Sequence, residues 1–266
     1  MTVESSRTVH RSVHRTAWQV TTKVPQIGIV FWVVKLLTTA LGESAADYSV
    51  AVINPYLSVI GGFMLLLVVL GLQFRAKQYE PATYWSAVAM VAVFGTMAAD
   101  VLHVQFGVPY LASAVFFAAA MITMFTIWYK VEGTLSIHSI HTPRREVFYW
   151  LTVMATFALG TALGDMTAVT LKLGYLTSVV LFSALIAIPA LAYWLFNVNA
   201  IVAFWCAYVL TRPLGASVAD WLGKPHTASG IGFGDGPATL VLTVLLGILV
   251  GYLAVTHGDS QSHSSK

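Results

Sequence analysis

Apolar residues dominate eight stretches of the chain, at about 25–48, 56–74, 82–102, 109–129, 147–170, 175–196, 198–219 and 237–256. Each is close to the roughly 20 residues that a helix needs to cross a ~30 Å hydrocarbon layer. The stretches are broken by short links containing Pro, Gly or polar residues. Lipid offers no hydrogen bonds to the backbone, so each run is expected to be a helix. The pattern therefore predicts an all-α membrane protein with eight transmembrane helices over 24–256, flanked by polar tails at 1–23 and 257–266.

A second pattern is laid over the first. Trp32, Trp85, Trp150 and Trp205 each begin the same series. Ten residues on come Gly42, Gly95, Gly160 and Gly215; fourteen on, Ala46, Ala99, Gly164 and Ala219; fifteen on, Asp47, Asp100, Asp165 and Asp220. The chain has six Asp, so four of them share one repeat position. A weaker echo opens the even runs at Pro55-Tyr56, Pro109-Tyr110 and Gly174-Tyr175, whereas the fourth copy carries a longer Gly-rich link, Gly223 to Gly236. The repeats span about 24–74, 82–130, 146–196 and 198–256. Two runs per copy give every copy the same direction through the membrane, so the repeats are parallel. The simplest arrangement puts the four odd helices around a centre and the even helices outside.

On a helical wheel the Gly and the small residue four further on form a stripe that lets backbones approach closely in lipid. The Asp lies about 40° from the residue one turn before it, which is Glu43, Thr96 or Thr161 in three copies and Ala216 in the fourth. Carboxylates inside a span are costly and usually face protein or a water-filled cavity. The four Asp are expected to meet in the half of the membrane away from the termini. Trp fits interhelical packing or an interfacial position.

Composition agrees with this picture. The 266 residues are 58% hydrophobic and 9% charged, where soluble domains run near 25% charged. The formal net charge is +3, and its distribution implies topology and no nucleic-acid partner. Arg7, Arg11, Arg15, Lys23, Arg75, Lys77, Lys130, Arg144, Arg145 and Lys266 fall on one side, against Lys172 and Lys224 on the other. The positive-inside rule then makes both termini cytoplasmic. Lys35 and Arg212 lie within runs; Lys35 reads as an internal counter-charge or as snorkelling to the edge, and Pro213 after Arg212 is expected to kink its helix. The single Cys206 permits no internal disulfide. Gly230 to Gly236 lacks the Lys-Ser/Thr of a phosphate loop and reads as a flexible external link.

Among the remaining candidates, His103 follows Asp100 by about one turn, but no other copy has a His there. No Ser-His-Asp, HExxH or haem pattern is present, so an enzyme is not expected.

The four Trp-centred units, with their Gly and Asp partners, resemble the bacterial integral membrane protein family built from four tandem two-helix repeats of unknown function, each with a characteristic Trp; the expected location is the bacterial inner membrane. The likeness covers about 24–256 and implies the architecture, with little about activity. The residues themselves suggest a cation transporter or exporter with metal-binding Asp47, Asp100, Asp165, Asp220, Glu43, Thr96 and Thr161. All-oxygen donors suit a hard divalent ion such as Mn²⁺. The alternative is a non-transporting scaffold or binding protein whose Asp residues are structural; a third reading is a membrane enzyme using paired carboxylates. No resident cofactor is implied beyond a transported divalent cation. The expected partners are the lipid bilayer and a small cation, and a homo-oligomer is compatible with the pattern.

Overall fold

The computed structural model describes residues 22–256, so the polar segments 1–21 and 257–266 lie outside the described residues. Among the described residues there are eight long helices: α1 Ile29–Val52, α2 Pro55–Arg75, α3 Pro81–Asp100, α4 Tyr110–Glu132, α5 Pro143–Asp165, α6 Tyr175–Phe196, α7 Ala200–Gly223 and α8 Asp235–Thr256. All eight are long and apolar enough to cross a membrane. Their starts follow local chemistry. Asn54 caps the Tyr56 and Leu57 amides ahead of α2, and Asn199 caps Ile201 and Val202 ahead of α7. Pro55, Pro81 and Pro143 occupy first-turn positions, where their missing N–H costs nothing. Helix α7 runs on through Pro213 as one element.

Burial separates odd from even helices. In α1, α3, α5 and α7, 44–67% of the most apolar window is buried; in α2, α4, α6 and α8 the share is 11–22%. The odd helices form a closed ring in the order α1, α3, α5, α7, with α7 back against α1. Each even helix packs mainly on the odd helix of the next repeat: α2 on α3, α4 on α5, α6 on α7, and α8 on α1. The last pairing closes the circle, so the first and fourth repeats are as firmly joined as consecutive ones. Large apolar side chains such as Leu57, Ile60, Val180 and Leu240 remain exposed on the even helices, as a lipid-facing surface requires.

Two sets of contacts recur around the ring at fixed repeat positions. The aromatic residue before each Trp meets the Trp of the next helix: Phe31–Trp85 at 5.6 Å, Tyr84–Trp150 at 5.7 Å, Tyr149–Trp205 at 6.2 Å and Phe204–Trp32 at 5.7 Å between ring centroids. These rings build a collar, with pair spacings in the range for favourable aromatic packing. Further along, each repeated Gly abuts the following helix. A Cβ on Gly95 would lie 2.8 Å from Phe157 Cβ, on Gly160 2.5 Å from Arg212 Cβ, and on Gly215 2.6 Å from Thr39 Cβ; on Gly42 it would strike Ala92. Phe157, Arg212, Thr39 and Ala92 all stand seven residues after their Trp. The matching registers show that the four central helices are parallel and in step, and that the Gly of the motif sets their separation.

At the end where α1 begins, called here the terminal face, the segment before α1 is tied in. Lys23 pairs with Glu146 at 2.7 Å and donates to the Phe74 carbonyl at 3.1 Å, while Gln73 donates to Glu146 at 3.0 Å. The Lys23 amide reaches Ile140 O, and the Tyr79 amide reaches Thr22 O. Lys23 is only 7% exposed, and its partner Glu146 makes that burial tolerable.

Candidate functional site

Polar and charged side chains stack in layers along the middle of the ring. One turn beyond the Trp collar sits Lys35, 1% exposed. Its Nζ lies 4.0 Å from the Phe157 ring centre and 4.2 Å from that of Tyr208, and it makes no hydrogen bond with a described residue. Tyr84 and Tyr149 share a hydroxyl–hydroxyl hydrogen bond of 2.5 Å beside this layer.

The next layer is built on Arg212. Its guanidinium pairs with Glu43 Oε2 at 2.5 Å, donates to Thr161 Oγ1 at 2.7 Å and to Thr39 O at 3.3 Å, and also donates to Thr96 Oγ1. Thr96 in turn donates to Glu43 Oε2 at 3.2 Å. Thus Glu43, Thr96 and Thr161, expected as cation ligands, do converge, but on a cation the chain itself supplies. Glu43, Thr96, Thr161 and Arg212 are all buried, so this layer closes the centre of the ring.

Beyond it, at the far end of the central helices, the four repeated Asp line one cavity of about 230 Å³ with Glu43, Tyr110, Tyr175 and Lys224. Helical register brings this about: Asp100 and Asp165 end α3 and α5, and Asp47 and Asp220 stand near the ends of α1 and α7. Asp220 is 3% exposed, while Asp47, Asp100 and Asp165 are half-buried. Glu43, Asp47 and Asp220 each offer an oxygen within 4.8 Å of the others. Asp100 and Asp165 make no hydrogen bond or ion pair with another described residue. Immediately after them, Val101–Gln105 and Met166–Thr170 continue as π-helical turns, absent after Asp47 and Asp220. Such turns widen a helix and recur at functional sites.

The fourth repeat contributes something the others lack. Its Gly-rich link folds back on the end of α7: the amides of Ile231, Phe233, Gly234 and Gly232 bond to the carbonyls of Trp221, Leu222, Gly223 and Lys224. The link expected to be flexible is therefore a cap that satisfies the last carbonyls of the helix. Gly232 and Gly234 adopt φ +77 and +93, which the tight return requires. This cap holds Lys224 in the cavity lining, with Asp235 beside it. Lys224 Nζ lies 2.5 Å from Asp47, 3.8 Å from Asp220 and 3.5 Å from Asp235. Burial opposes its charge, but the surrounding carboxylates hold its pKa above the usual lysine value. From the sequence, Lys224 reads only as a charge on the side away from the termini.

His103 is engaged elsewhere, with Nδ1 2.9 Å from Val108 O and its ring stacked on Tyr110 at 3.6 Å. A larger cavity of about 470 Å³, lined by Lys172, Leu173, Gly174 and Ser229, contains none of the repeated carboxylates.

These features define a multi-pass membrane protein made of four parallel two-helix repeats, with an acidic cavity where their central helices end. The family model described as Repeat of Unknown Function (DUF347) matches residues 30–79, 83–134, 148–199 and 203–259. The chain belongs to that family. No curated protein and no solved structure matches it.

Proposed function

We propose that this protein is a transporter or exporter of a small cation, with a hard divalent ion such as Mn²⁺ as cargo at the aspartate cavity. The observation that carries the reading is the convergence of Asp47, Asp100, Asp165 and Asp220 on one cavity, with Asp100 and Asp165 left without a hydrogen bond or ion pair among the described residues. Carboxylates used only as glue would be bonded to the groups they hold together. Oxygen donors alone favour hard ions over Cu⁺ or Zn²⁺. The basic residues near the terminal face support cytoplasmic termini in a bacterial inner membrane, with the cavity opening on the other side. Lys224 then acts as a tethered cation that the cargo displaces, and the Arg212 layer as the closed barrier beneath the site.

The scaffold reading has its own support in the ion pairs of Asp47 and Asp220 with Lys224. Flux separates the two. Proteoliposomes holding the wild type are expected to take up Mn²⁺, and the Asp100→Asn/Asp165→Asn variant to lose uptake while remaining folded. Equal uptake by both proteins would remove the aspartates from any transport role.

A further inference from the structure

Three of the four repeats open their even helix on a tyrosine. Tyr110 and Tyr175 are the first residues of α4 and α6, and Tyr56 is the second of α2. Two of the three are held in place. The Tyr56 hydroxyl donates to Gln105 Oε1 at 3.2 Å. The Tyr110 ring is stacked on His103, which is itself fixed through Nδ1 to Val108 O at 2.9 Å. Tyr175 has neither a hydrogen bond nor a ring contact among the described residues.

The unrestrained tyrosine is also the one that stands between two cavities. Tyr175 and Val169 line both the aspartate cavity and the 470 Å³ cavity beside it, so they form the partition between the two. The larger cavity is a groove whose banks are the α5–α6 link at Lys172 and Leu173 and the Gly-rich cap at Thr227 and Ser229, all exposed. Gly174 brings the banks together: it has φ +74, and a Cβ there would lie 2.9 Å from Ser229 Oγ. Only glycine makes that turn without strain, and it does so immediately before Tyr175. On the inner side, Asp220, Lys224 and Asp165 are the charges that act most on the Tyr175 hydroxyl. Elsewhere the outer lining of the aspartate cavity is Val50, Val104 and the stacked Tyr110, all carried on helical turns. Tyr175 is thus the least restrained part of the wall.

We propose that Tyr175 is the gate of this transporter, and that cargo passes between the aspartate cavity and the outer medium through the groove between the α5–α6 link and the Gly-rich cap. This rests on the transport reading above and adds to it the route and the moving part. Opening is a rotation of one aromatic side chain about its own χ1, so α6 keeps its backbone bonds. It joins cavities of about 230 and 470 Å³ into one space that reaches the surface. Lys172 is the one charged residue lining the groove, so a cation crosses the groove without being held there.

Stopped-flow mixing of the purified protein in detergent tests the gate, with release read by a fluorescent chelator. The probe is Mn²⁺, or whichever of Mg²⁺, Ca²⁺ and Na⁺ binds if Mn²⁺ does not. A gate alters the barrier and leaves the end states alone. Tyr175→Ala is therefore expected to raise association and dissociation rates together at an unchanged Kd, by about tenfold if the ring supplies ~1.4 kcal/mol of barrier. Tyr175→Phe keeps the ring and loses the hydroxyl, and is expected to retain the slow exchange. A bulky maleimide on Ser229→Cys, in a Cys206→Ser background, is expected to slow both rates even if Tyr175→Ala does not fold. The same label on Phe106→Cys, at a position 71% exposed that lines neither cavity, is expected to slow neither. Wild-type rates in Tyr175→Ala, a Kd weakened alike by both Tyr175 variants, a Ser229 label without effect, or equal slowing by the Phe106 label overturns the gate and its route while ion binding stands. A wild type that binds neither Mn²⁺, Mg²⁺, Ca²⁺ nor Na⁺ overturns the transport reading and the gate with it.

Discussion

Replacing Arg212 with Met should be among the most damaging single changes in the protein, and pairing it with Glu43→Met should repair most of the damage. Arg212 is 0% and Glu43 3% exposed. The substitution removes a 2.5 Å ion pair, the bonds to Thr96 and Thr161, and the bond to Thr39 O. What remains is a carboxylate in the centre of a membrane bundle with one hydroxyl donor. Breaking a buried pair by removing one partner typically costs about 3–5 kcal/mol, whereas replacing both with apolar groups of similar volume is often neutral or stabilising. Hydroxyl bonds count for less, near 0.6 kcal/mol on average in membrane proteins, so the charge pair dominates. Each single variant is therefore expected to lose about 3–5 kcal/mol and the double variant less than either, a coupling energy of about 3 kcal/mol or more. Unfolding by SDS in mixed micelles measures this cycle. Additive losses, with the double variant worse than both singles, would refute the layer as described.

Three further outcomes follow from packing and charge. Gly42→Ala should lower stability by about 1–3 kcal/mol, because its Cβ collides with Ala92, while Gly247→Ala, which meets nothing within 4 Å, should be neutral or gain up to about 1 kcal/mol by helix propensity; the same micelle assay reads both. Lys224→Met frees Asp47 and Asp220 from their tethered cation, so Mn²⁺ should bind about tenfold tighter, a change of about 1.4 kcal/mol, measured by titration calorimetry. Lys23→Met should destabilise by about 3 kcal/mol, and the loss should be the same at about 0.05 M and about 1 M NaCl because the Lys23–Glu146 pair is buried.

The spacing of Trp, Gly and Asp carried a large part of this architecture in one dimension. Repeated small residues and repeated carboxylates on apolar helices have few physical uses, and both sets do converge in the ring. The aromatic residue before each Trp was equally legible, since Phe31, Tyr84, Tyr149 and Phe204 stand in the chain for inspection; its role emerges only when neighbouring helices meet. What local pattern does not encode is which helix covers which. Short links favour packing within a repeat, yet α2 lies on α3 and α8 on α1. The role of Arg212 was hidden for a related reason: its position matches Thr39, Ala92 and Phe157 in the repeat, and only the three-dimensional ring brings it to Glu43, Thr96 and Thr161. Lys224 likewise looks like a loop charge until the Gly-rich cap returns it to the cavity.

Cation-dependent melting of the purified protein reaches the central claim most directly, because only an ion that binds the folded form raises its stability. With Mn²⁺, Mg²⁺, Ca²⁺ and Na⁺ as probes, at least one is expected to raise the Tm saturably, by the equivalent of about 2.7 kcal/mol at a hundred times its Kd. The Asp100→Asn/Asp165→Asn variant is expected to melt cooperatively and to lose that rise. A wild type indifferent to all four ions, or a variant that keeps the full response, contradicts ion binding by the four aspartates.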